Sequence, residues 1–153
     1  MKRLSVVLLA VVLGVFLSTG VSAESGTKEE CVAKNKEAAQ MITDQGIDAA
    51  KAEINKKDGK FVWKDTYVFL MDLDGNMLAH PMKPSLIGKN MLETPDKAGK
   101  MFFKDFVTVA KDPGEGWVDY MWPKPGMDEP QAKTTHIFRV PGTDFLVGAG
   151  VYK

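Results

Sequence analysis

Cysteine is almost absent from this chain, with Cys31 the only one in 153 residues. One thiol closes no intramolecular disulfide. With two histidines, and no pairing at i, i+4 or CxxC spacing, it builds no zinc site either. Net charge is also missing, since 20 basic residues balance 20 acidic ones. There is no basic tail and no basic stripe, which excludes nucleic acid and anionic membrane surfaces as partners. No GxSxG, GxGxxG or phosphate loop occurs. Ser85, the threonines and the two histidines assemble no nucleophile–base pair, so neither catalysis nor a cofactor is expected. Asp72-Leu73-Asp74-Gly75-Asn76 has a superficial likeness to a calcium loop. An EF-hand needs glycine at position six and glutamate at twelve, and counted from Asp72 those places hold Met77 and Lys83. The methionines are scattered at core-like positions and do not form a copper site.

Long apolar runs are missing as well, except at the start. Lys2 and Arg3 precede a nearly continuous apolar stretch from Leu4 to Phe16, and Val21-Ser22-Ala23 fits the small-x-small cleavage rule. Residues 1–23 therefore read as a signal peptide and 24–153 as one mature domain, periplasmic or secreted. The alternative is a retained anchor, because Leu4–Val21 approaches the roughly 20 residues that span a bilayer. Cleavage removes two basic residues and no acidic one, leaving a net charge of −2. Cys31 lacks a lipobox and reads as a small buried helix residue.

What is present is an order of helix, two strands, helix and three strands. Thr27 and Glu30 form a capping-box pair. Cys31, Ala38 and Ile42 then share a helix face, and Gly46 kinks or breaks the run before Ile47–Lys56, which turns Ile47, Ala50 and Ile54 inward. Phe61-Val62-Trp63 leads into a hairpin over Thr66–Pro81 with Asp74-Gly75 as a two-residue loop. That register pairs Leu73 with Asn76, Met71 with Leu78 and Phe69 with His80. Tyr67, Phe69, Met71, Leu78 and His80 would share one face. An irregular loop follows, then a helix over Lys97–Lys111 with Met101, Phe102, Phe103, Phe106, Val107 and Ala110 as its apolar face. Strands are expected at Trp117–Trp122, Thr134–Val140 and Phe145–Tyr152, the last two joined at Pro141–Asp144. This is an α+β domain built on an antiparallel sheet of about five strands. Its strands are apolar at nearly every position, so both faces must be covered, one by the N-terminal helix and one by the Pro81–Lys111 connection.

Tyr67-Val68-Phe69, Asp72-Leu73-Asp74-Gly75 and His80-Pro81, taken in order, resemble the core signature of a single, type 2-like Cache domain. Leu86–Asn90, Gly116–Tyr120, Trp122-Pro123, Val140–Asp144 and Gly148–Tyr152 continue the likeness, which runs from about Glu30 to the C-terminus. The resemblance implies a PAS-like antiparallel sheet behind a long N-terminal helix. It further implies an extracytoplasmic sensor module of the kind found in chemoreceptors and kinases, many of which bind small organic acids. It also allows a homodimer paired along the N-terminal helix. The sequence shows no second membrane span and no signalling module, so direct transmembrane signalling by this chain alone is not expected.

The residues suited to bind a ligand are Tyr67, Phe69, His80, Tyr120, Trp122 and Lys133. Tyr120 and Trp122 are two apart on one strand face, each an apolar body with a polar tip, which suits a small polar ligand in an apolar pocket. As plain core they would each still need a buried partner. His80 is either a satisfied strand-end histidine or a donor to a carboxylate. A buried carboxylate requires a cation or several N–H donors. Lys133, just before a strand, is the preferred cation. Arg139 belongs near the hairpin, and Lys83, Lys89 and Lys100 flank the presumed pocket. The expected function is binding of a small carboxylate, feeding a membrane receptor or histidine kinase. The alternative is an interaction module with a vestigial pocket, docked on such a partner.

Overall fold

The computed structural model describes residues 24–153, so the expected signal peptide lies outside the described residues. Helix α1 (Lys28–Gln45) starts at the capping box, in which Thr27 accepts from the Glu30 N–H at 3.2 Å and Glu30 accepts from the Thr27 N–H at 2.9 Å. Its buried side carries Cys31, Asn35, Ala38, Ala39 and Ile42. Gly46 is a true break: at φ 86° it leaves the helical region, a conformation open to glycine at little cost. Helix α2 (Ile47–Ile54) follows and ends two residues before the expected Lys56.

Six strands then form one antiparallel sheet: β1 (Val62–Trp63), β2 (Thr66–Asp72), β3 (Met77–Ala79), β4 (Glu115–Pro123), β5 (Pro130–Arg139) and β6 (Phe145–Tyr152). Their order is β1-β2-β6-β5-β4, with β3 also paired to β2. Helix α3 (Phe102–Lys111) lies between β3 and β4 in sequence. The doubly apolar strands have the two covers they require. Val68, Leu70, Val147 and Ala149 pack with α1 and α2 in one core. Tyr67, Phe69, Met71, Val118, Tyr120 and Ile137 pack with the α3 phenylalanines in the other.

Four expectations need correction. The hairpin loop is not two residues but Leu73–Asn76, because only Gly75 takes a positive φ, at 90°. Asp72 closes it instead, accepting from the Asp74 N–H at 3.1 Å and from the Asn76 N–H and side-chain amide at 2.8 Å. The pairing is Leu70 with Ala79 but Met71 with Met77, a bulge that puts Met77 in the α3-side core and turns Leu78 toward the α1 side. Helix α3 starts five residues late. Asp96 ties the preceding segment into a loop, accepting from the Ala98, Lys100 and Met121 N–H groups at 2.9 Å each, and Gly99 takes φ 84°. Met101 therefore caps the helix and is 36% exposed, outside the apolar face. Finally β4 and β5 extend to Pro123 and Pro130, which pair with each other at the strand ends, so Lys133 sits inside β5 rather than before it.

Candidate functional site

The α3 face of the sheet collects the candidate residues, four by strand alternation and His80 by the turn of the chain past the β3 bulge. Tyr67 and Phe69 come from β2, Tyr120 and Trp122 from β4, and His80 from the residue after β3. These five line a cavity of about 10 Å³, completed by Met77 and by Phe102, Phe103 and Phe106 of α3. The phenylalanines were legible as a helix face but not as a pocket wall, since nothing local to them says which part of the sheet they cover. Phe102 stacks on Tyr120 with ring centroids 4.2 Å apart, and Phe106 on Phe69 at 5.5 Å. A space of this size holds about one water. Gly148 lets Phe69 lie flat on the sheet, because a Cβ there would stand 2.3 Å from Phe69 Cζ.

The polar tips gather at one end. Trp122 Nε1 donates to the Tyr67 hydroxyl at 2.9 Å. The Tyr120 hydroxyl shares a hydrogen bond with Thr135 Oγ1 at 3.0 Å. His80 Nδ1 accepts from the Lys83 N–H at 3.0 Å, which assigns the ring proton to Nε2. Its ring neighbours are Tyr67 at 4.9 Å, Phe69 at 6.2 Å and Trp122 at 6.4 Å. Burial, reinforced by the positive charges of Lys133 and Lys83, lowers His80 to about 3, so the ring is a neutral N–H donor. Burial raises the Tyr67 and Tyr120 phenols above their usual range, and they too stay neutral.

That histidine has a consequence for acid stability. An unfolded His80 binds a proton near 6.5, while the folded one resists down to about 3. Protons therefore favour the unfolded chain across that window. The His80 contribution is whole above pH 6.5 and is lost as pH falls toward 3, on the order of 3–5 kcal/mol. Urea unfolding at pH 7, 5 and 4 should show that slope, and His80→Gln should flatten it.

Lys133 does not line the cavity; it stands behind Tyr67. It is 1% exposed, with Nζ 4.4 Å from the centre of the Tyr67 ring and 4.8 Å from that of Tyr152. Among the described residues no carboxylate lies within ion-pair distance of it, and the nearest acidic side chain acting on it, Asp65, pairs with Lys124. Arg139 is spent on the hairpin, donating to Thr143 O and Asp144. Lys100 donates to Asp119 O at 2.6 Å and pairs with Asp105 at 3.2 Å. Lys89 contributes its backbone carbonyl to the Met77 N–H. Lys83 holds Nζ 4.7 Å from the Trp122 ring centre and lines a second, larger cavity of about 300 Å³. That cavity lies between Met82-Lys83 and Pro123–Asp128 and shares Tyr67 with the small one. Among the described residues, no cluster of three or more His, Cys, Asp or Glu is placed to hold a metal.

This architecture has relatives. Over 88 residues, 58% of this chain, the sequence is 36% identical to the methyl-accepting chemotaxis protein McpP of Pseudomonas putida. Over 89 residues, again 58%, it is 33% identical to the sensor histidine kinase MctS of Rhizobium johnstonii. The matches cover 16% and 19% of those proteins, so this chain spans only a small part of the length of either. A solved Cache chemosensory domain, described for its carboxylic acid recognition, superposes with a TM-score of 0.70 at 31% identity. That superposition covers 81% of this chain and 91% of the other. The family model for the Cache domain matches residues 2–153. The chain belongs to the Cache domain family.

Proposed function

We propose that this chain is an extracytoplasmic sensor domain that binds a small carboxylate at the His80–Trp122 end of the aromatic cavity and performs no chemistry on it. Residues 1–23 export it, residues 24–153 bind, and the output passes to a membrane chemoreceptor or histidine kinase. The supporting observation is the pairing of a neutral, buried His80 N–H with a buried lysine that lacks a counter-ion, on either side of Tyr67. Burying an anion costs many kcal/mol unless donors and a cation receive it; His80 offers a donor in the cavity wall and Lys133 a cation behind Tyr67. The apolar remainder suits a short aliphatic tail. The solved relative described for carboxylic acid recognition points the same way.

The cavity as it stands admits one water, so a bound acid must part the Tyr67–Trp122 hydrogen bond or displace Phe102. That small volume favours a second reading, a docking module whose pocket is vestigial. Thermal-shift and calorimetric screening with acetate, propionate, lactate, pyruvate and small dicarboxylates separates the two. Binding should appear, and His80→Ala should weaken it about 10- to 100-fold, the worth of a charge-assisted hydrogen bond. No shift with any acid, together with a co-purifying membrane partner, would establish the docking reading instead.

A further inference from the structure

Lys133 is the feature of this site that the fold leaves least resolved. A lysine this deeply buried is normally paired, because an isolated ammonium in an apolar setting is costly. The groups that face it supply no dedicated anion. From β2 and β6 come the rings of Tyr67 and Tyr152, both phenols held neutral by burial. From β4 comes Tyr120, its partner across the ladder, whose hydroxyl is engaged with Thr135. From α1 comes Cys31, fully buried, its thiol pushed up to about 12 by burial. Before β2 comes Asp65, committed elsewhere: one carboxylate oxygen accepts from the Gly26 N–H at 2.8 Å and the other pairs with Lys124 at 3.4 Å. Lys124 itself lies over Tyr152 at 5.3 Å and adds positive charge, not negative.

Resting on the reading above, we propose that carboxylate uptake is coupled to proton uptake: the bound anion is the counter-ion Lys133 lacks, and the amine takes a proton as the site fills. The ligand enters as the anion, the proton comes from solvent onto Nζ, and the filled site carries no added net charge. Burial lowers the free ammonium to about 7, which places the exchange in an accessible pH range. An anion across the Tyr67 ring favours the charged amine and raises it again. The other groups at the site stay in one protonation state across that range. His80 titrates near 3 and Cys31 near 12. His136 lies on the opposite sheet face beside Asn35 and Glu115, its pKa lowered by burial.

The test is calorimetry of the purified protein with propionate and with pyruvate at pH 6, 7, 8 and 9. Each titration is run in phosphate and in Tris, two buffers of different ionisation enthalpy. The expected result is little proton uptake at pH 6, about half a proton at pH 7 and nearly one at pH 9. Affinity should fall about tenfold per pH unit above 7 and level off below it. In Lys133→Met, with its fold checked by circular dichroism, residual binding should lose both the buffer dependence and the pH slope. Wild-type binding with equal heats in both buffers and a flat pH profile would overturn the proposal, as would a Lys133→Met variant with the wild-type slope. No binding of either acid at any pH would instead remove the carboxylate reading on which it rests.

Discussion

Phe102→Ala is expected to destabilise the domain by about 3–4 kcal/mol, measured as a lower urea midpoint at unchanged m. Phe102 is 1% exposed and is the hub of the aromatic cluster, with Phe103, Phe106, Tyr120 and Trp122 all within 6 Å between centroids. Removing its ring loses apolar burial and leaves a hole that the stacked neighbours cannot fill, since Tyr120 is tethered by Thr135 and Trp122 by Tyr67. The same change should enlarge the cavity, which now has room for about one water. The variant is expected to accept acids with tails several carbons longer than wild type does, read as thermal shifts across a homologous series from acetate to hexanoate. Equal loss of stability without any change in chain-length preference would show that the tail does not point at α3.

Where the sequence and the structure part company, the cause is tertiary. Thr27–Glu30 capping, the Gly46 interruption and the strand Phe145–Tyr152 are local, and each stands where local chemistry puts it. The pairs Tyr67 with Phe69 and Tyr120 with Trp122 were also legible, because strand alternation places alternate residues on one face, whereas His80 reaches that face past a bulge that turns Leu78 away. The hairpin register was not. Asp72 gathers three N–H donors from within its own loop, and Leu92, far along the chain, packs where a Gly75 side chain would go, so the loop widens around one local and one distant set of contacts. The late start of α3 has the same origin, because Asp96 reaches across to the Met121 N–H on β4. Apolar periodicity extended the helix back through Met101 because it cannot register a carboxylate that captures the turn before it. A pocket under the Pro81–Lys111 cover was legible as a possibility, but not which α3 side chains wall it, because a wide aromatic helix face reads the same over a filled core as over a small pocket.

Lys133→Met should produce the opposite sign of effect on stability, and for an instructive reason. The unfolded chain carries this amine protonated up to about 10.5, while the folded one releases the proton near 7. Below pH 7 the charge is present in both states and the fold bears the whole burial cost. Between 7 and 10.5 the cost declines with rising pH, as the folded amine becomes neutral. Replacing a buried, unpaired cation by an apolar side chain of similar length is therefore expected to stabilise the ligand-free domain by about 1–4 kcal/mol at pH 6–7. Tyr67 and Tyr152, which now sandwich the amine, would flank a thioether, a contact favourable in its own right. A gain in melting temperature at pH 6 that shrinks toward pH 10 is the expected signature. If the variant instead melts lower at every pH, the cation is held by its aromatic neighbours and the fold has already met its cost. A stabilised variant that no longer responds to carboxylates would show that the domain retains a costly charge for its ligand, giving up folding stability that only the bound anion returns.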